Sequence, residues 1–201
     1  MTTRSLFATR FYEGAIDDAR LIAALEQAAR DLAEQDRAGR GWCKAHAYPG
    51  YTSYASLNDL PQRNPVFDDL RRLLDKHVRR FADEAWLDLG TRRLRLDSLW
   101  VNVLKGHAGG HSGHIHPHSI VSGTVYVRVP EGAAGLKLED PRLPMMMAAP
   151  LRRADAPEDA RTFVYAEPKV GSLFLWESWL RHEVPAGRAK SDRISISFNY
   201  R

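Results

Sequence analysis

Thirteen residues, His114 to Tyr126, constrain this chain more than any others; they read H-I-H-P-H-S-I-V-S-G-T-V-Y. Five of the eight histidines fall between His107 and His118, three of them at alternating positions 114, 116 and 118. In extended backbone, side chains two residues apart point to the same side. His114 and His116 therefore aim into one space while Ile115 faces away, and two convergent neutral imidazoles suit a divalent first-row metal. From Val121 onward Val121, Gly123, Val125, Val127 and Val129 alternate with Ser122, Thr124, Tyr126 and Arg128. Such alternation marks a half-buried strand. The stretch reads as a metal-binding strand end that runs into a sheet strand. It is internal and interleaved with Ile115 and Pro117, unlike an expression tag. The single Cys43 excludes the thiolate-rich kinds of zinc site.

The same period recurs on either side. After Gly90, Leu94, Leu96, Ser98, Trp100, Asn102 and Leu104 share one face, and Gly106 to Gly113 reads as a glycine-rich turn. Short strands fit Gly135 to Glu139, Thr162 to Ala166, Gly171 to Trp176, His182 to Val184 and Arg193 to Tyr200. About eight short strands separated by turn signals predict a mainly β sandwich or barrel. Upstream, a first strand fits near Phe7 and Phe11. Helical spacing follows over 17–35, through Leu21, Ile22, Leu25, Ala28, Ala29 and Leu32, and Arg37 to Gly41 breaks it. Trp42 to Leu60 reads as irregular. Asn64-Pro65 then announces a second helix whose buried stripe runs from Phe67 to Ala85, with His77 on it as a core or boundary residue. The two helices precede the main run of strands and are expected to pad one face of the sheet.

Two downstream stretches carry further chemistry. His182 stands beyond the aromatic strand Gly171 to Trp176, where a closed β-structure could return it beside His114 and His116. On the last strand Arg193, Ser195, Ser197 and Asn199 face one way and Ile194, Ile196, Phe198 and Tyr200 the other. An inward Arg is the natural fork-shaped partner for a carboxylate; an edge strand with its polar face in water is the alternative. Between Pro141 and Ala160 lies a loop with prolines at 144, 150 and 157 and adjacent Met145, Met146 and Met147. Loops of this length inside a domain are usually functional or mobile. Its methionines read as a substrate-side wall, or as simple packing on the barrel.

Composition limits the remaining classes. An apolar content of 44% over 201 residues is ordinary for one globular domain. One cysteine fits a reducing, cytoplasmic setting. No signal-peptide pattern and no apolar run long enough for a bilayer are found, so no membrane association is expected. The net charge of +4 is spread among acids with no aromatic-and-basic stripe, so no nucleic-acid partner is expected.

Taken together, H-x-H-P-x-S-x-x-S-G, Asp140-Pro-Arg, G-S-L-F-L-W…W-L-x-H-x-V-P and R-I-S-I-S-F-N resemble a family of 2-oxoglutarate/Fe(II)-dependent oxygenases. Tyr51-Thr-Ser-Tyr, Asp59-Leu-Pro and the second helix extend the resemblance over most of the chain from about Gly41. It implies a double-stranded β-helix (jelly-roll, cupin-like) core over 92–201, supported by a helical region over 1–91 within one domain, 1–201. It further implies Fe(II) at the open mouth, 2-oxoglutarate chelating it, O2 as co-reactant, and Arg193 with Ser195 on the distal carboxylate. The family brings no substrate with it; a small molecule or a peptide is expected. One departure stands out: the superfamily usually has H-x-D or H-x-E, and His116 occupies that acidic slot. His114, His116 and His182 carry over as the metal ligands, with His118, Glu139 or Glu183 as alternatives to the middle one. Two rival functions remain at this point. One is a three-histidine cupin dioxygenase that does not use 2-oxoglutarate; the other is a non-enzymatic metal-stabilised binding module whose pocket holds an anionic ligand.

Overall fold

The computed structural model describes residues 2–107 and 109–201. Ala108, within the glycine-rich stretch, lies outside them. Among the described residues, ten strands form two antiparallel sheets: β1 (Phe11–Ala15), β2 (Gly50–Thr52), β3 (Leu96–Leu104), β4 (His111–His114), β5 (Val121–Arg128), β6 (Leu136–Glu139), β7 (Phe163–Ala166), β8 (Ser172–Glu177), β9 (His182–Val184) and β10 (Arg193–Tyr200). The larger sheet has the order β1-β8-β5-β10-β3-β2, the smaller β4-β9-β6-β7. Strands β4 to β10 pass between the sheets in the manner of a double-stranded β-helix. The helices are α1 (Ala19–Gln35), α2 (Arg37–Ala45), α3 (Leu60–Arg63) and α4 (Pro65–Glu84).

Side-chain alternation divides the protein into two apolar layers. Val101, Val125, Ile194, Ile196 and Phe198 on the outer face of the larger sheet pack against Leu25, Phe67, Leu70, Leu74 and Phe81 of the helices. The opposite parity, Leu104, Tyr126, Phe174 and Trp176, meets Leu136, Leu138 and Val184 of the smaller sheet. Strand β10 lies between β5 and β3, so its polar face is enclosed between the sheets and is not a water-facing edge. Gly123 belongs to this design: a Cβ there would come within 2.6 Å of Leu175 Cδ2 and of the Phe174 carbonyl oxygen. Any larger residue would force the central strands apart.

Three local readings of the sequence need correction. The first strand begins at Phe11, because Phe7 is 91% exposed and has φ of +58°, a left-handed turn that a strand cannot contain. The glycine-rich turn ends earlier than Gly113, since β4 starts at His111. The break after Gln35 is a change of direction into another helix. Asp36 closes α1, its backbone N–H bonding the Leu32 carbonyl, and caps α2, its side chain accepting from the Gly39 N–H. Gly39 and Cys43 are the buried face of α2. Two glycines and a single short stripe conceal such a helix from periodicity.

Asp36 is the knot of this corner. Its buried carboxylate accepts from Gly39 N–H at 2.9 Å, Tyr51 Oη at 2.9 Å and Ser56 Oγ. Burial pushes its pKa up, but these hydrogen bonds, Gly39 first, outweigh it and hold the carboxyl below its usual value. The stabilisation is therefore present above the unfolded pKa near 3.9 and is lost as pH falls through the lower folded value. Asp36→Asn should cost about 1–3 kcal/mol at pH 7. Chemical unfolding at pH 7 and at pH 3 checks this, since the gap between variant and parent should narrow in acid.

Candidate metal centre

The histidines meet where the smaller sheet faces the larger. His114 ends β4 and pairs directly with His182, the first residue of β9. His116 lies beyond the strand, where its backbone N–H bonds the Ser178 carbonyl at 3.0 Å. The ring centroids of His114 and His182 are 4.4 Å apart, those of His114 and His116 5.1 Å, and those of His116 and His182 5.1 Å. One nitrogen from each ring lies within 4.8 Å of the others. His116 Nε2 and His182 Nε2 are 3.2 Å apart. Two nitrogens each about 2.1 Å from one ion, at right angles, would be about 3.0 Å apart.

The tautomers suit a cation. His114 Nδ1 lies 2.7 Å from the Ser112 carbonyl and His182 Nδ1 2.9 Å from the Leu180 carbonyl. A carbonyl only accepts, so both Nδ1 atoms carry hydrogen, which leaves Nε2 as the nitrogen of each ring available to a metal. Burial pushes His182 down to about 3 and His116 to about 4, with neighbouring imidazole charge adding to both. Trp176 packs edge-on to His182, and Trp100 lies beside His116, which keeps two sides of the cluster dry.

The alternatives to His116 are placed elsewhere. His118 is exposed, has φ of +71° and lies outside the cluster. Glu139 is paired with Arg181 at 3.2 Å and Glu183 with Lys137 at 2.7 Å. His77 bonds Tyr12 Oη at 2.9 Å on the helical side, and His46 stacks on Trp42.

The enclosed side of the larger sheet also carries a buried cation. Arg193 is 6% exposed at the start of β10, and its guanidinium lies 4.8 Å over the ring of Tyr126 on β5. Arg193 Nε, Arg193 Nη1 and Tyr126 Oη are all buried without a hydrogen-bond partner among the described residues. Orphaned buried donors are rare and costly, and a guanidinium beside a hydroxyl, both with hydrogens to give, suits an anion. Ser195 is buried on the same face, paired with Asn102 of β3 and Tyr126 of β5. Trp100, beside His116, pairs with Ser197, four residues along β10 from Arg193, or about 13 Å of strand. Sequence reasoning overlooked Tyr126. Its signal was a tyrosine on the Ser122–Thr124 parity, but the cross-strand register that brings it to Arg193 is non-local. Met145 and Met147, 72% and 95% exposed, do not pack on the barrel as simple filling.

The family described as "Putative 2OG-Fe(II) oxygenase" matches residues 98–199, just over half of the chain. The chain belongs to this 2-oxoglutarate/Fe(II) oxygenase family. None of the curated proteins matches it in sequence. Among solved structures, the non-heme alpha ketoglutarate dependent carbocyclase SnoK from nogalamycin biosynthesis superposes with a TM-score of 0.68 at 12% identity, over 96% of this chain and 79% of that one. The epimerase SnoN, in complex with Fe3+, alpha ketoglutarate and nogalamycin RO, gives 0.63 at 16%, over 96% and 79%. A prolyl-4-hydroxylase from Pseudomonas putida gives 0.62 at 16%, over 96% and 92%. At these identities the likeness is one of fold, and it establishes the double-stranded β-helix. Among the described residues, no helix of this oxygenase-family chain is long and apolar enough to cross a membrane. Its all-nitrogen cluster and its orphaned guanidinium fit a divalent metal and a carboxylate respectively.

Proposed function

We propose that the chain is an Fe(II)- and 2-oxoglutarate-dependent oxygenase. In this reading His114, His116 and His182 hold the metal, while Arg193, Ser195 and Tyr126 hold the distal carboxylate of 2-oxoglutarate. The carrying observation is that the enclosed side of the larger sheet holds both three convergent imidazoles and an arginine and a tyrosine whose buried donors lack partners among the described residues. When bound, metal and cosubstrate supply the oxidising chemistry: 2-oxoglutarate and O2 give succinate and CO2, and one oxygen atom hydroxylates the substrate. The protein's own contribution is to bind, orient and dehydrate. Three neutral ligands leave the metal's charge uncompensated by protein, which favours a dianionic chelator. A binding module for an anion can also use an arginine such as Arg193, so turnover of 2-oxoglutarate to succinate is what separates the readings.

Calorimetric titration of 2-oxoglutarate into protein loaded with redox-inert Zn(II) tests the reading. One site per chain is expected, and no binding would refute it. The substrate would approach past the loop over 141–160, whose exposed methionines can adapt to an irregular apolar surface. Replacing Met145, Met146 and Met147 by Ala should lower coupled substrate oxidation while uncoupled succinate formation stays nearly intact. Equal loss of both activities, or of neither, counts against a substrate-side wall.

A further inference from the structure

Beside the hollow, the segment between α2 and β2 contributes a tyrosine that neither the metal nor the arginine uses. The Tyr48 hydroxyl is in hydrogen-bond contact with Nε2 of His111, at the start of β4, and lies 3.4 Å from Asn102 Oδ1. Asn102 is already served: its Oδ1 accepts from Thr52 Oγ1 at 2.8 Å and its Nδ2 donates to Ser197 Oγ at 3.1 Å. His111 adjoins the histidine cluster on the same strand as His114. Its ring centroid is 6.5 Å from that of His114, and Asn102, beside the Tyr48 hydroxyl, pairs across the sheet with Ser195, two residues from Arg193. We infer that Tyr48 and His111 form a positioning pair for the cosubstrate, in which the Tyr48 hydroxyl donates to one of its carboxylate oxygens. This rests on the proposed use of 2-oxoglutarate.

The chemistry follows from the donor inventory. A neutral imidazole has one N–H and one lone pair, and either nitrogen can carry the hydrogen. In one arrangement the Tyr48 O–H donates to a bare His111 Nε2. In the other, His111 donates Nε2–H to the Tyr48 oxygen, and the tyrosine proton turns to an incoming anion. In both arrangements Thr52 keeps Asn102 Oδ1 satisfied. The pair can therefore exchange an internal hydrogen bond for a charge-assisted one without changing its net charge. A phenylalanine at 48 could pack similarly but could not make the exchange.

The test is equilibrium binding of 2-oxoglutarate to Zn(II)-loaded protein, with metal content measured alongside. Tyr48→Phe should weaken binding by about tenfold or more, the usual loss for a hydrogen bond to a charged group, with zinc stoichiometry unchanged. His111→Gln, which keeps a neutral donor and acceptor, should stay within about threefold of the parent, whereas His111→Leu should match Tyr48→Phe. The double variant Tyr48→Phe/His111→Leu should be no weaker than either single one, as expected of groups acting as a unit. Parent-like affinity in Tyr48→Phe, or lost zinc in any of these variants, overturns the assignment. Should Tyr48→Phe not fold, the comparison of His111→Gln with His111→Leu decides by itself, and equal affinities overturn the pair. If the parent protein binds no 2-oxoglutarate, the oxygenase reading falls as well; parent binding with an unaffected Tyr48→Phe removes only the positioning role.

Discussion

Arg193→Ala should raise the dissociation constant for 2-oxoglutarate by about two orders of magnitude or more, while the metal stays bound. The distal carboxylate of the cosubstrate would lie between the sheets, where Arg193 is 6% exposed and Tyr126 fully buried. An ion there has lost its water, and without a fixed cationic partner its burial is very costly. Breaking a buried pair by removing one member costs on the order of 3–5 kcal/mol, and every 1.4 kcal/mol is about tenfold in affinity. Arg193→Lys should recover only part of this, because an ammonium lacks the planar fork that offers two parallel donors. Tyr126→Phe should have a smaller effect, about tenfold, for the loss of one hydroxyl donor. Unchanged binding in Arg193→Ala would leave the orphaned guanidinium without a function and remove the chemical basis for assigning 2-oxoglutarate.

His182→Ala should abolish stoichiometric metal binding. With three imidazoles and no carboxylate in the cluster, each nitrogen supplies about a third of the protein's share of coordination. Apparent free energies of about 10–16 kcal/mol for four-ligand zinc sites suggest roughly 2.5–4 kcal/mol per ligand, or about two to three orders of magnitude. His116→Asp should retain some iron if that position is equivalent to the acidic slot of the superfamily. Acid gives a second readout. His116 and His182 are pushed down to about 4 and about 3 by burial and neighbouring imidazoles, against an unfolded value near 6.5. Between those values the unfolded chain binds protons that the folded one refuses. The metal-free fold is therefore at full stability above about pH 6.5 and loses it as pH falls toward 4, each histidine contributing on the order of 1–3 kcal/mol. Thermal unfolding of metal-free protein should show a melting temperature that falls from pH 7 to pH 5. A profile that is flat over that range would mean that the imidazoles are not buried together.

Local pattern revealed the sheets and one wall of the site, but not the parts that depend on register. Ile194, Ile196 and Phe198 announce their shared face because side-chain direction has period two, and the same parity puts Arg193 and Ser195 together on the other face, but their enclosure comes from the place of β10 between β5 and β3. His114 and His116 converge for that reason too, although β4 ends between them and the Ser178 carbonyl anchors the second. The return of His182 is non-local; it is fixed by the β4–β9 pairing, which no spacing encodes. Tyr126 was visible as an inward tyrosine, but its partner across the Ser195 register was not. Tyr48 lay in a stretch without periodicity, and α2 was concealed by its glycines. Where propensity and tertiary packing disagree, as in α2, a buried cap such as Asp36 decides the outcome.

The most direct test of the central claim is succinate formation from 2-oxoglutarate by the Fe(II)-loaded protein in air, with no substrate added. The proposed function predicts slow turnover that requires Fe(II), disappears in His182→Ala and is recovered in Arg193→Ala only at much higher 2-oxoglutarate. Iron-loaded protein that forms no succinate at saturating 2-oxoglutarate, or forms it equally well without His182, would contradict it.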